Sequence, residues 1–150
     1  MNKDCDVCAI LNSNNDDIVI AKTKFWRVAL EQNQAYLGQA FVTLLNHKSS
    51  LSQLSSDEWE DFASLADKLE QKITKVFGAK HYNWTCLMNE AYRKTPASPH
   101  VHWHIFPRYE RPVIVNGITF EDTEFGHHYI DRKFKTDKPT LEMIGSKLKN

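Results

Sequence analysis

The chain lacks a surplus of charge of either sign, since 19 Lys and Arg residues balance 19 Asp and Glu residues. A binding surface for duplex nucleic acid or for an anionic membrane requires clustered positive charge, and this composition gives no indication of one. We therefore expect neither a nucleic acid polymer nor a membrane as a partner. A small phosphorylated ligand is compatible with the balance, because it needs only a local polar site.

Long apolar runs are also missing. The amino-terminal stretch MNKDCDVCAILNSNNDD has no apolar segment long enough for a signal sequence or a membrane span, and no later stretch reaches that length. We therefore expect a cytoplasmic protein. Three cysteines are an odd number and too few for a disulfide scaffold, which favours reduced or metal-bound thiols. Cys86, in an apolar stretch, is expected to be a small core residue.

The 150 residues suit one domain, and no repeat, low-complexity tract or Pro/Gly/Ser-rich linker divides them. We predict a single domain over 1–150, with a core at about 5–109 and a carboxy-terminal extension at 110–150. The hydrophobic pattern predicts strands rich in β-branched and aromatic residues at 17–30, 36–45, 81–89 and 100–109, with the polar turn EQNQ between the first two.

One long helix is predicted over residues 55–77, because apolar residues recur there every three or four positions after a capping-box pattern at Ser55 and Glu58. The dipeptide Asn116-Gly117 predicts a hairpin within 113–120, and the apolar spacing after Pro139 predicts a short terminal helix. The order of elements therefore predicts an α+β fold with an antiparallel sheet of about five strands.

Three imidazoles stand at alternate positions in the stretch SPHVHWHIFPRY, residues 98–109. Side chains of a strand point to opposite faces with a period of two, so His100, His102 and His104 share one face of the predicted strand. The apolar residues between them are expected to face the core. A merely solvated polar face and a metal site made by all three histidines are the alternatives to a catalytic row.

This run resembles the signature of the histidine triad family, in which three histidines alternate with apolar residues and two apolar residues follow. Pro107 and Arg108 after the run, and the stretch YLGQAFVTLLNH before the long helix, extend the resemblance over about residues 5–109. The resemblance implies a hydrolase that acts at the α-phosphate of a nucleotide conjugate, such as a dinucleoside polyphosphate or a nucleoside phosphoramidate. It also implies a homodimer.

By the same resemblance, His102 attacks the α-phosphate and forms a covalent nucleotidyl-histidine, which water then hydrolyses. Splitting one displacement into two steps is ordinary covalent catalysis. The resemblance implies that His104 contacts phosphate oxygens and helps to protonate the leaving group, and a histidine at this third position favours hydrolysis over nucleotide transfer. For His102 to attack through one nitrogen, we expect a backbone carbonyl to accept the N–H of the other.

Cys5 and Cys8 form a C-x-x-C pair near the amino terminus. A redox site, two unpaired structural cysteines and half of a structural zinc site are the three interpretations. The zinc site is favoured, because two thiolates and two imidazoles form a closed tetrahedral site, although spacing alone does not choose the histidines. Zinc-containing histidine triad proteins, which this chain resembles, imply the ligands Cys5, Cys8, His47 and His100.

The resemblance also implies nucleotide contacts. Glu31 stands where the family commonly has an acidic residue that accepts ribose hydroxyls, and Asn89 stands where it has a polar residue for the sugar or phosphate. A surface glutamate and a strand-end asparagine without function are the alternatives for these two positions.

One departure from the family pattern lies in the loop before the triad. Relatives carry Gly-Gln-Ser/Thr there, whereas this chain has RKTPASPH, with Pro96 and Ala97 at the Gln and Ser/Thr positions. We expect a substitute contact to the phosphate from Arg93, Lys94 or Ser98. Because of this departure, nucleotide binding with little turnover stays open as a function, as does a metallohydrolase that uses the three histidines as ligands.

Overall fold

The architecture is the predicted α+β fold, in which a five-stranded antiparallel sheet is accompanied by three helices. A computed structural model describes residues 3–13 and 15–149, and its sheet has the strand order β1-β2-β3-β5-β4. The strands are β1 (Val19–Lys22), β2 (Trp26–Leu30), β3 (Ala40–Leu44), β4 (His81–Thr85) and β5 (His102–Arg108). The helices are α1 (Asp6–Asn12), α2 (Ser56–Phe77) and α3 (Lys138–Leu148), and a hairpin of β6 (Val113–Val115) and β7 (Ile118–Phe120) precedes α3. None of the described helices is long and apolar enough to cross a membrane.

The long helix α2 begins and ends as predicted. The hydroxyl of Ser55 accepts a hydrogen bond from the backbone N–H of Glu58, and the Glu58 carboxylate accepts one from the backbone N–H of Ser55. Gly78 follows the helix in the left-handed conformation, at a φ of 81°. The apolar side chains that the helix buries are Leu65, Leu69, Ile73 and Phe77.

The helix α2 covers the face of the sheet opposite to the histidines. The ring of Phe62 in α2 stacks on Trp103 of β5, with the ring centroids 5.1 Å apart, and Ile105 is fully buried on the same side of the strand. Because neighbouring side chains of a strand alternate between faces, His102 and His104 lie on the other face. The alternation predicted for this strand is therefore present.

The first half of the sheet differs from the sequence prediction. The single strand predicted over 17–30 is two strands, because the chain reverses between them. Asp61 of α2 holds this reversal, since its carboxylate accepts hydrogen bonds from the Thr23 hydroxyl at 2.7 Å and from the backbone N–H of Phe25 at 3.0 Å. The predicted turn EQNQ is likewise only part of a longer loop, residues 31–39, which ends where β3 begins at Ala40.

A buried side chain organises this loop 31–39. Gln34 has no exposed surface, and its amide nitrogen donates to the backbone carbonyls of Glu31 at 2.7 Å and of Gln39 at 2.9 Å. Its amide oxygen accepts the backbone N–H of Gly38 at 2.8 Å. These bonds fix the direction in which Glu31 leaves the end of β2.

Other elements match the sequence prediction in part. The strands predicted over 81–89 and 100–109 are shorter, since β4 ends at Thr85 and β5 begins at His102. Cys86 lies just beyond β4 and is half-buried rather than part of the core. The predicted hairpin is present, with Asn116 and Gly117 both at positive φ, 52° and 75°, as a two-residue hairpin turn requires.

The carboxy-terminal extension is tied to the sheet by a buried ion pair between Arg108 and Asp122. These side chains are 0% and 1% exposed, and the guanidinium donates to the two carboxylate oxygens at 2.7 and 3.2 Å. The same guanidinium donates to the side-chain oxygen of Asn83 at 2.8 Å and to the carbonyl of His127 at 2.9 Å. A buried charge is tolerated only when it is paired and hydrogen-bonded in this way.

We propose that the core and the extension fold as one domain over residues 1–150. Asp122→Ala leaves the buried guanidinium of Arg108 without its countercharge, so we expect the free energy of unfolding to fall by about 3–5 kcal/mol in one cooperative transition. Asp17→Ala is the matched control, because it removes a carboxylate from a partly exposed pair with Arg27 and is expected to cost about 0–1 kcal/mol. Urea unfolding followed by tryptophan fluorescence measures both, and equal losses or two separate transitions would contradict the proposal.

Candidate active site and metal centre

Two thiols and two imidazoles meet at one place although they come from three distant parts of the chain. Cys5 caps the amino end of α1 and Cys8 lies in its first turn, while His47 follows β3 and His100 precedes β5. One ligand atom from each residue lies within 4.8 Å of the others. Three of the four are buried, and His47 is half-buried. These are the four residues that the resemblance implies as zinc ligands.

The separations within this cluster fit a tetrahedral ion. His100 Nδ1 lies 3.5 Å from the sulfur of Cys5, 3.5 Å from that of Cys8 and 3.3 Å from His47 Nδ1. A tetrahedral zinc ion with ordinary Zn–S and Zn–N bonds places sulfur about 3.6 Å from nitrogen and two nitrogens about 3.3 Å apart. The separations from His100 therefore fit a zinc ion held by the four side chains.

The other nitrogen of His100 is occupied by the sheet. Its Nε2–H donates to the carbonyl of Leu44, at the end of β3, at 2.7 Å, which leaves the lone pair of Nδ1 facing the cluster. Burial lowers the pKa of His100, the nearby His47 and His102 lower it further, and the bond to Leu44 offsets part of this shift. A neutral imidazole with one nitrogen anchored to a carbonyl is the form that ligates a metal ion.

His102, the next residue on this face, is anchored in a similar way through the other nitrogen. Its Nδ1 lies 2.8 Å from the carbonyl oxygen of His100, so Nδ1 carries the proton and Nε2 keeps a free lone pair. Burial lowers the pKa of His102, an effect that the bond to the His100 carbonyl partly offsets. The expected carbonyl partner of this ring is thus present.

His104 contacts a carboxylate instead of a carbonyl. Its Nδ1 lies 3.2 Å from Oε1 of Glu31, and the two side chains are only 19% and 12% exposed. The second carboxylate oxygen, Oε2, accepts a hydrogen bond from the amide nitrogen of Gln39 at 2.8 Å. The side chain expected to contact ribose is therefore bonded to the third histidine of the row.

A cavity of about 870 Å³ lies along the face that carries His102 and His104. This volume is in the range of sites for small molecules. The three residues expected to contact a nucleotide, Glu31, Asn89 and Ser98, all line the cavity. The structure thus brings together at one cavity all five residues predicted for catalysis and nucleotide binding.

The two cations of the altered loop line the same cavity, and both are paired with carboxylates. Arg93 lies 3.2 Å from Glu90, and Lys94 contacts Asp6 of α1. Both pairs are exposed to solvent, so their contribution to stability is small and a phosphate can compete for either cation.

Sequence reasoning missed several residues that line this cavity or contact its histidines. The ring of Phe41, which pairs with His104 across β3 and β5, has its centroid 4.8 Å from the imidazole. Tyr129 of the extension stacks on Phe106 at 4.3 Å, and Asp131 lines the cavity nearby. Alternation along β3 was a signal that could have found Phe41. Asp131 reaches the cavity only through tertiary packing, and Tyr129 is joined to the row of histidines through Phe106, whose ring stacks on His104 at 6.1 Å.

Comparison with known proteins assigns the family. Residues 12–111, more than half of the chain, match the HIT domain. The chain therefore belongs to the histidine triad (HIT) family. The cysteines at positions 5 and 8 lie before the matched segment.

Three similar proteins illustrate the relationship. Over 104 residues, 69% of this chain and 74% of the relative, the sequence is 27% identical to an adenosine 5′-monophosphoramidase of Schizosaccharomyces pombe. A histidine triad nucleotide-binding protein of Sulfolobus tokodaii superposes with a TM-score of 0.67 over 96% of this chain and 89% of that chain, at 16% identity. A zinc-bound histidine triad protein of Mycobacterium smegmatis gives a TM-score of 0.62 over 96% and 92%, at 18% identity. The two structural comparisons confirm the fold.

Proposed function

We propose that this protein is a nucleotide hydrolase that cleaves at the α-phosphate of a nucleotide conjugate, either a dinucleoside polyphosphate or a nucleoside phosphoramidate. The observation that carries the proposal is the anchored ring of His102, whose Nδ1 lies 2.8 Å from the His100 carbonyl beside the cavity. The adenosine 5′-monophosphoramidase of Schizosaccharomyces pombe, at 27% identity, supports the same class of reaction.

The proposed reaction has two displacements at phosphorus. In the first, the lone pair of His102 Nε2 forms a bond to the α-phosphorus while the P–O or P–N bond to the leaving group breaks. His104, when it carries a proton on both ring nitrogens, gives the proton of Nε2 to the leaving group and keeps the proton of Nδ1. In the second, water attacks the phosphorus, its proton passes to His104, and the bond to His102 breaks to release a nucleoside monophosphate. The catalytic residues are thus His102 and His104.

We further propose that Asn89 and Ser98 bind the nucleotide, because both line the cavity beside the two histidines. Asn89 begins the short 3-10 helix Asn89–Arg93, and Ser98 lies two residues before the triad, so both come from the loop that precedes β5. We propose the same for Glu31, which lines the cavity and whose carboxylate can accept ribose hydroxyls in addition to its bond to His104.

Turnover is the direct test of this function. We expect the wild type to hydrolyse adenosine phosphoramidate or diadenosine polyphosphate to AMP, and His102→Ala to lose turnover, because the variant has no nucleophile. Product formation followed by chromatography measures this, with His81→Ala, an exposed histidine of β4, as the matched control. Turnover that survives in His102→Ala would refute the mechanism. Binding of AMP without turnover of either substrate by the wild type would favour a nucleotide-binding protein.

We propose that Cys5, Cys8, His47 and His100 hold a structural zinc ion. All four positions of a tetrahedral ion are filled by these side chains, so none is left open for substrate. The ion would join α1 to the chain just after β3 and just before β5, where His47 and His100 lie. It would thereby hold in place the start of the strand that carries His102 and His104.

The zinc proposal predicts one zinc ion per chain. Cys8→Ser should lose the ion and lower Tm, because metal binding in such sites is coupled to folding. Cys86→Ser, which removes a thiol outside the cluster, is the matched control and should retain both. Elemental analysis and thermal unfolding measure the two quantities. A chelator that abolishes turnover at once, with Tm unchanged, would contradict a structural role and favour a metallohydrolase.

We also propose that the protein is a homodimer. Strand β4 is an edge of the five-stranded sheet, with β5 on one side, and edge strands offer unpaired backbone groups to a second copy. Light scattering on the purified protein is expected to give about twice the chain mass of 17.4 kDa. The mass of a single chain at working concentration would contradict the proposal.

A further inference from the structure

We propose that Glu31 is a positioning residue for His104, a role in addition to the contact with ribose that the family resemblance implies. This inference rests on the proposed function for its catalytic consequence. Its structural basis is the contact of 3.2 Å between Glu31 Oε1 and His104 Nδ1, at side chains that are 12% and 19% exposed.

Both oxygens of the Glu31 carboxylate already have partners within the protein. Oε1 accepts from His104, and Oε2 accepts from the amide nitrogen of Gln39 at 2.8 Å. Gln39 is buried, and its amide oxygen is a buried atom with no hydrogen-bond partner among the described residues. Leaving that oxygen unpaired has a cost, which is offset when the amide nitrogen faces a carboxylate. The Gln39 side chain is therefore oriented by its hydrogen bond to Glu31.

The backbone around Glu31 is also fixed. The amide of the buried Gln34 donates to the carbonyls of Glu31 and Gln39, and the backbone N–H of Glu31 donates to the Gln39 carbonyl at 3.1 Å. The Glu31 carboxylate and the Gln39 amide that orients it thus come from the two ends of one tight loop, just after β2 and just before β3. A site held on such a support keeps its geometry through the reaction.

The contact with Glu31 defines which nitrogen of His104 does the chemistry. A carboxylate accepts only, so the proton of this bond belongs to Nδ1, and Nε2 becomes the nitrogen that exchanges a proton with the leaving group and then with water. Without Glu31 the ring can turn, and its proton can move to the other nitrogen. With Glu31 in place, His102 and His104 are anchored in the same way. Each ring is hydrogen-bonded to the protein through Nδ1, which leaves Nε2 for the reaction.

Kinetics on two substrates separate this role from ribose binding. We expect Glu31→Ala to lower kcat at least about tenfold, because a misplaced His104 loses part of the rate enhancement that a positioned acid gives. The loss should be equal for adenosine phosphoramidate and its 2′,3′-dideoxy analogue. Glu31→Gln should recover part of this loss, because its amide oxygen can accept from Nδ1. Glu60→Ala removes an exposed carboxylate from α2 and is the control. A rise in KM confined to the substrate that has ribose hydroxyls, with kcat unchanged, would overturn the proposal.

A double-variant cycle tests whether Glu31 acts through His104. In a His104→Gln background, Glu31→Ala should have almost no further effect on kcat, since residues that act as a unit are not additive. Two independent losses that multiply would overturn the proposal. Thermal unfolding of each variant establishes that the comparison is made on folded protein.

NMR of the histidine ring nitrogens gives a result that does not need turnover. We expect Nδ1 of His104 in the wild type to carry a proton whether or not Nε2 also carries one, and Glu31→Ala to change the ring signals of His104. The signals of His81, an exposed histidine of β4 outside the cavity, should stay as they are and serve as the internal control. Unchanged His104 signals would overturn the proposal. If the wild type turns over no substrate, the proposed hydrolase function fails, and the NMR result still decides whether Glu31 positions His104.

Discussion

The hydrogen bond between His102 Nδ1 and the carbonyl of His100 is the interaction on which the site depends. It joins two residues whose side chains have different surroundings, since His100 belongs to the cluster of thiols and imidazoles and His102 lines the cavity. Because His100 is itself bonded to the Leu44 carbonyl, the ring of His102 is held by the same backbone that holds the cluster. Displacement of His100 would therefore also displace the ring proposed as the nucleophile.

The part of the site that lies on β5 could be predicted from the sequence, because it depends on local rules. A period of two places His102 and His104 on one face and Trp103 on the other, whichever fold surrounds the strand. The limits of α2 were equally local, since Ser55, Glu58 and Gly78 determine them through backbone bonds within a few residues. The ligand cluster was harder to predict. The chain has seven histidines, and without the family resemblance nothing in their spacing selects the two that meet the thiols.

The rest of the site depends on contacts between residues far apart in the chain. Glu31 and His104 are separated by 73 positions, and their contact follows from the pairing of β3 with β5 and from the loop that Gln34 organises. No periodicity marks that loop, so it was predicted as a short turn. The helix α1 was missed because it has only seven residues, too few to show a repeating apolar face. The stacking of Tyr129 on Phe106 likewise joins the extension to β5 across a long stretch of chain.

Trapping the protein during the reaction tests directly whether His102 becomes bonded to phosphorus. Wild-type protein mixed with a labelled adenosine phosphoramidate, quenched within one turnover under mildly basic conditions and digested, can be mapped by mass spectrometry. We expect one nucleoside monophosphate attached to the peptide that contains His102, located on that residue by fragmentation. An adduct on another side chain, or turnover with no adduct at any quench time, would contradict it.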